Sequence, residues 1–239
     1  MMARGYFAGL LFFSMTAWCA PLAAQTAATA TAPVKAPEPV VKLEKRDMPL
    51  AELLPLLDKG GLVLLMRHER TEVPSPGDRS FNPPSDCTVQ RNLSVAGIAG
   101  AAETGVAIRS LGWPIGKVLS SPMCRAMETA RFIFGRYEVE PRLMHHDNTP
   151  ERNVTVSGKE LKDVLASLPN SSGNTVLVSH IGNIYFAIGL TLSEGEFGIL
   201  QRQADGRYVI LNTIDPGDIG AIARTAIYRA ERAKAAKPK

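Results

Sequence analysis

Three short apolar runs set the frame of this chain. Leu62 to Met66, Lys117 to Leu119 and Thr175 to Val178 are rich in β-formers, read as buried strands, and each stops where a polar group begins. Helical patterns lie around them. Met48 to Leu57 reads as a short amphipathic helix, and Gly60-Gly61 turns the chain into the first strand. Ser94 caps a helix to Leu111 with Val95, Ile98, Ala102 and Val106 on its inner face, ended by Gly112. Pro122 fits the first turn of a helix that continues through Ala126, Met127, Ala130, Ile133 and Phe134 to Gly135. Ser157 with Glu160 forms a capping box before the stripe Leu161, Val164, Leu165 and Leu168. Ile199 to Gln203 and Tyr208 to Asn212 form a hairpin around Asp205-Gly206, and Asp215-Pro216 opens a last helix with Ile219, Ile222 and Ala226 inward. This order predicts an α/β fold: a three-layer αβα sandwich on a mostly parallel sheet, with an antiparallel edge hairpin.

The ends of the chain read differently. Arg4, the uncharged apolar run Tyr6 to Ala20 and the small residues around Pro21 to Ala24 have the form of a secretory signal over residues 1–24, cleaved near Gln25. Residues 25–47 have neither helical nor strand period and read as a disordered linker. The globular domain is expected over residues 48–232, with a basic tail at 233–239. The expected location is periplasmic or secreted, with no stable membrane span after cleavage.

A single core suits 239 residues that are 45% hydrophobic and 21% charged. The formal charge is +4, and it is +3 without Arg4, too mild to point to nucleic acid. Cys87 and Cys124 remain in the mature chain, where export permits a disulfide; sequence alone leaves their pairing open.

The polar groups at the strand ends carry the chemistry. Met66-Arg67-His68-Glu69, Ser120-Ser121-Pro122-Met123-Cys124-Arg125 and Val178-Ser179-His180-Ile181-Gly182 place two arginines and two histidines where open α/β sheets bind ligands. Gln90-Arg91-Asn92-Leu93 is a fourth such segment. Arg125 falls in the first turn of its helix, where backbone N–H groups favour an anion. A phosphate monoester requires a nucleophile, cations for the equatorial oxygens and an acid for the leaving oxygen. His68 is the candidate nucleophile, Arg67 and Arg125 offer forked donors, and His180 adds a further hydrogen bond. This chemistry calls for no cofactor and no metal. Taken singly, each residue also reads as a structural arginine or histidine. Neither cysteine has an arginine six positions on, so a cysteine-based phosphatase loop is absent.

With these residues in view, the chain resembles the histidine phosphatase superfamily, the phosphoglycerate-mutase-like fold, in its exported bacterial branch. Arg67-His68 is similar to the Arg-His-Gly motif of that family, Arg125 within Ser-Ser-Pro-x-Cys-Arg-Ala-x-Glu-Thr-Ala to its second arginine, and His180 to its second histidine. The resemblance covers about Leu50 to Asp218. It implies a phosphorylated His68, with Arg67, Arg125 and His180 holding the phosphate. Glu69 departs from the usual Gly or Ala and is expected to point outward. Where the mutase-like branch has Glu soon after a Leu, Met144-His145-His146-Asp147 follow Leu143 here. Glu151 on the same loop is the first choice for the acid, with His145 and Asp86 as alternatives and a surface carboxylate as the bland reading. His145-His146-Asp147 also suggests a metal site, but adjacent histidines on a strand face opposite ways. His180 lacks the following Asp of the phytase branch.

The leading expectation is a metal-independent phosphomonoester hydrolase acting through a phosphohistidine, on a phosphorylated small molecule or envelope glycan, with a phosphosugar as the guess. The alternatives are a non-catalytic phosphate or phosphosugar-binding module of the same fold and, last, an envelope interaction protein using the loop Thr71 to Gln90 and the basic tail.

Overall fold

In a computed structural model the three predicted strands lie side by side at the centre of one six-stranded sheet. The structure describes residues 42–72, 86–147 and 151–235, together with Val40, Asp78, Pro84 and Thr149, with side chains to Ile227. The signal segment, most of the linker and most of the proline-rich loop Thr71 to Gln90 lie outside the described residues.

The strands are β1 (Val63–Arg67), β2 (Ile115–Ser120), β3 (Glu138–Val139), β4 (Asn174–Ser179), β5 (Phe197–Arg202) and β6 (Tyr208–Ile214), in spatial order β3-β2-β4-β1-β5-β6. The first four are parallel, and β5 and β6 close one edge as the expected antiparallel hairpin. Register brings Arg67 opposite Ser179 and Ser120 opposite Val178, so β1, β2 and β4 end level with one another.

Helices cover both faces: α1 (Leu50–Lys59), α2 (Val95–Leu111), α3 (Cys124–Phe134) and α6 (Pro216–Ala235) on one, α4 (Val154–Ser167) and α5 (Ile181–Ile188) on the other. Alternation in β1 divides the cores. Leu64 and Met66 join Ile108, Ala130 and Ile219, whereas Val63 and Leu65 join Leu161, Val164 and Ile184. No described helix is long and apolar enough to cross a membrane.

The most instructive departure concerns α2. Its expected inner face is outside: Val95 is 85% exposed and Val106 57%. The buried face is Gly97, Gly100, Ala101, Thr104, Gly105 and Ile108, also at helical spacing. Small residues prevail because backbone lies against them. A Cβ on Gly97 would stand 2.0 Å from the Arg70 carbonyl oxygen, and one on Gly105 2.5 Å from that of Ile133. Hydrophobic periodicity followed bulk, and bulk does not fit here.

Other expectations shift by a turn. The α4 helix is capped by Asn153, which accepts from Thr155 and Val156 N–H; Ser157 is buried inside it, and Glu160 pairs with Arg152 instead of closing a box. In α6, Ile219 and Ala223 are the buried positions, while Ala226 is exposed. The linker does not reach residue 47, for Glu44 to Met48 run beside β6, with Arg46 N–H on Ile210 O and Met48 N–H on Leu211 O. The basic tail is helical as far as Ala235.

The glycine face of α2 is open to test. Gly97→Ala should lower stability by about 1–3 kcal/mol through forced displacement of the helix, and Val106→Thr should change it by less than about 0.5 kcal/mol. Urea unfolding of both variants measures this, and the reverse order would place the bulky face inside.

Candidate functional site

Level strand ends place the functional groups. The first residue after β1 is His68, whose N–H donates to Ser179 O, and the first after β4 is His180. Ser121, just past β2, donates its N–H to Val178 O. His68, His180, Ser121 and Arg125 are all at most 2% exposed. Arg125 is among the largest wholly buried side chains of the molecule, an unusual place for a guanidinium.

His68 is held in one tautomer. Its Nδ1 lies 2.8 Å from the Glu69 carbonyl, which can only accept, so Nδ1 carries the proton and Nε2 keeps its lone pair. Burial pushes its pKa well below the usual 6.5, and the Arg125, Arg67 and Arg91 charges push the same way. His180 is likewise held neutral by burial and by Arg125. Its Nε2 is 2.8 Å from Ser121 Oγ, which already accepts from Met123 N–H. We assign the hydroxyl proton to Nε2, which leaves the imidazole proton on Nδ1. The His68 and His180 ring centres are 5.3 Å apart.

The cations are anchored at one end and open at the other. Arg125 Nη1 donates to Asp78 Oδ1 at 2.9 Å, yet its Nε and Nη2 are buried with no hydrogen-bond partner. Arg67 Nη2 donates to Glu194 Oε1 at 3.2 Å and Nη1 to Leu192 O at 3.3 Å, while its buried Nε has none. His180 Nδ1 is a fourth such atom. Buried donors without acceptors cost about 1–3 kcal/mol each, and four of them stand in the elements around one set of strand ends, a donor set whose chemistry suits an oxyanion. Glu194 also accepts from Thr71 Oγ1 at 3.1 Å and lies 3.8 Å from Arg91 Nη1. Gly195, at φ +84°, lets this turn press on β1, its N–H reaching Arg67 O and His68 O.

A disulfide between Cys87 and Cys124 joins the loop of Gln90 to the start of α3. Gln90 Oε1 accepts Cys124 N–H, and Ser121 Oγ takes that of Met123. Helix α3 starts at Cys124, after Pro122, so these first amides serve the loop and not an anion.

Arg67, His68, Arg125 and His180 are therefore brought together. Glu151 is not: it sits exposed on the turn before α4, and no interaction among the described residues joins it to the cluster. Asp86 caps the short turn at Cys87 by accepting from Thr88 N–H. Glu69 does not point to solvent; it is 1% exposed, accepts from Arg70 N–H and packs against α2 and Gly195. His145 and His146 lie in a loop, not a strand, and stack at 4.2 Å; His145 also meets His180 edge-on at 5.0 Å. Among the described residues no three His, Cys, Asp or Glu side chains are disposed to hold a metal ion. Asp78 and Glu194 escaped the sequence reading, since their partners are 47 and 127 residues away and no local pattern marks them.

No family model and no curated protein sequence matches this chain. Solved structures do. A histidine-to-alanine mutant of phosphoserine phosphatase from Entamoeba histolytica, in complex with phosphoserine, is 16% identical with a TM-score of 0.52, over 65% of this chain and 97% of that one. The fold is that of the phosphoglycerate-mutase-like histidine phosphatases. The protein histidine phosphatase SixA complexed with tungstate is also similar, at 16% identity and TM-score 0.48 over 66% of this chain and 99% of that chain. A mycobacterial glucosyl-3-phosphoglycerate phosphatase gives 16% and 0.46, over 63% and 98%.

Buried neutral histidines leave a signature in stability. An unfolded His takes up a proton as pH falls through about 6.5 and the folded His68 and His180 do not, so the folded state loses up to about 1.4 kcal/mol per pH unit for each below that point. Urea midpoints at pH 7.5 and 5.5 should show His68→Asn losing less stability than wild type on acidification; equal losses would mean that His68 is not held neutral.

Proposed function

We propose that this chain is a phosphomonoester hydrolase that passes the phosphoryl group through His68. The observation that carries this is the pairing of a neutral imidazole, its Nε2 lone pair fixed by the Nδ1 bond to Glu69 O, with four buried and unpartnered nitrogens on Arg67, Arg125 and His180. Arg67 and Arg125 neutralise the equatorial oxygens as charge develops, and His180 Nδ1 gives another bond. Phosphorus bonds to His68 Nε2 as the bond to the leaving oxygen breaks; water then attacks phosphorus and frees the imidazole. These steps use side chains of this chain alone, without a metal.

The fold shared with a phosphoserine phosphatase supports a phosphorylated small molecule as substrate. The apolar run Tyr6 to Ala20 and the disulfide both favour an extracytoplasmic setting, in which a phosphosugar of the cell envelope is the substrate we propose. The domain layout follows: signal 1–24, then a linker into a catalytic domain that begins at the strand-like contacts of residues 44–48.

Hydrolysis of an aryl phosphate in the presence of chelator decides the matter. Wild type should turn over, and His68→Ala should fall by about 10³-fold or more. Phosphate binding without turnover in wild type would mean a phosphate-binding module of this fold.

A further inference from the structure

His145 stands against the proposed site without a part in it. Its ring meets that of His180 edge-on, 5.0 Å between centres and 88° between planes. The segment that carries it is fixed by the residues on either side of His180. Ser179 Oγ donates to Leu143 O at 3.3 Å, and the wholly buried Asn183 donates through Nδ2 to Leu143 O at 3.3 Å and to Met144 O at 2.8 Å. Arg152 Nη1 reaches Met144 O at 3.4 Å from the other side. Behind the ring, His146 stacks at 4.2 Å, and Gly182 leaves room for it; a Cβ there would stand 2.9 Å from His146 Cε1.

This packing also sets the tautomer. His145 Nδ1 lies on the His146 carbonyl, an acceptor only, so Nδ1 holds a proton and Nε2 is the atom that exchanges one. The described carboxylates nearby are otherwise engaged: Asp78 by Arg125, Glu194 by Arg67 and Thr71, Glu69 by Arg70, and Asp147 by the N–H and hydroxyl of Thr149. Glu151 is exposed, and no interaction among the described residues joins it to the cluster.

We infer that His145 is the proton carrier of this site, giving a proton to the leaving oxygen and later taking one from the attacking water. The inference rests on the phosphohistidine reading of His68. In the first half, the His68 Nε2–P bond forms, the P–O bond to the alcohol breaks, and the proton on His145 Nε2 goes to that oxygen. In the second half, water bonds to phosphorus, its proton goes to His145 Nε2, and the P–N bond breaks. The proton enters with the substrate monoanion, so atoms and charge balance over the cycle. Burial, His146 and Arg125 hold the pKa of His145 down at about 4; a bound phosphate offsets the Arg125 charge and makes the charged imidazole accessible during turnover.

The test uses the full chain with two substrates of unlike leaving group. A nitrophenyl phosphate departs without a proton, and an alkyl phosphate such as glycerol phosphate requires one. His145→Asn retains a donor for His146 O, and His145→Gln serves as the second variant should the first not fold. Loss of a general acid is worth about 10²–10⁴-fold. For the variant, kcat/KM should fall by about 10²-fold or more on the alkyl ester and by less than about fivefold on the nitrophenyl ester. A stoichiometric burst of nitrophenol before a slow phase should appear, since water attack has lost its base. Equal losses on both substrates without a burst would overturn the assignment. An inactive wild type, or a His68→Ala variant as active as wild type, would overturn the phosphohistidine reading together with it, which separates the two failures.

Discussion

Everything at the head of this sheet is arranged around a guanidinium taken out of water. Isolated charges in a protein interior are expensive unless paired and hydrogen-bonded, and Arg125 is wholly buried with only Nη1 engaged by Asp78. Its Nε and Nη2 have no partner. Burial first and this charge second keep His68 and His180 neutral, and burial, His146 and Arg125 do the same for His145. Burial of the imidazoles together with this cation thus favours both an oxyanion and the unprotonated state that a nitrogen nucleophile requires.

The fold supplies the rigidity that such a site needs. Parallel strands β1 and β4 run in register, which makes His68 and His180 neighbours by topology, and Ser121 at the end of β2 then sets the His180 tautomer. Long-range tethers do the rest. The Cys87–Cys124 disulfide and the Gln90 bond to Cys124 N–H fix the start of α3, and Glu69 N–H donates to Thr129 Oγ1, whose own hydroxyl bonds Arg125 O. Displacing one of these elements would move an arginine, and so alter the charge felt by each imidazole.

Strand identity and the edge hairpin were legible in the sequence, because a buried parallel strand is a continuous apolar run, and Arg67, His68, Arg125 and His180, read at or just past the ends of such runs, lie close together in the fold. What was not legible depended on distant contacts. The inner face of α2 is glycine because the Arg70 and Ile133 backbones approach there, and neither approach leaves a periodic mark. Glu194 and Asp78 became visible only when the chain closed on itself. Glu151 was favoured as a carboxylate on the right loop, but the loop turns it to solvent and brings His145 against His180 instead. The pairing of Cys87 with Cys124 depends on the fold, which sets their Cα atoms 5.7 Å apart.

The central claim is that the unpartnered nitrogens of Arg125, Arg67 and His180 form one receptor for a phosphate-sized oxyanion. Calorimetric titration of the protein with inorganic phosphate near neutral pH tests it most directly. Wild type should bind, and Arg67→Gln, which keeps the turn at Glu194 polar, should bind at least about tenfold more weakly, the loss of roughly one charge-assisted hydrogen bond. Absence of phosphate binding in wild type, or equal affinity in the variant, would contradict the account.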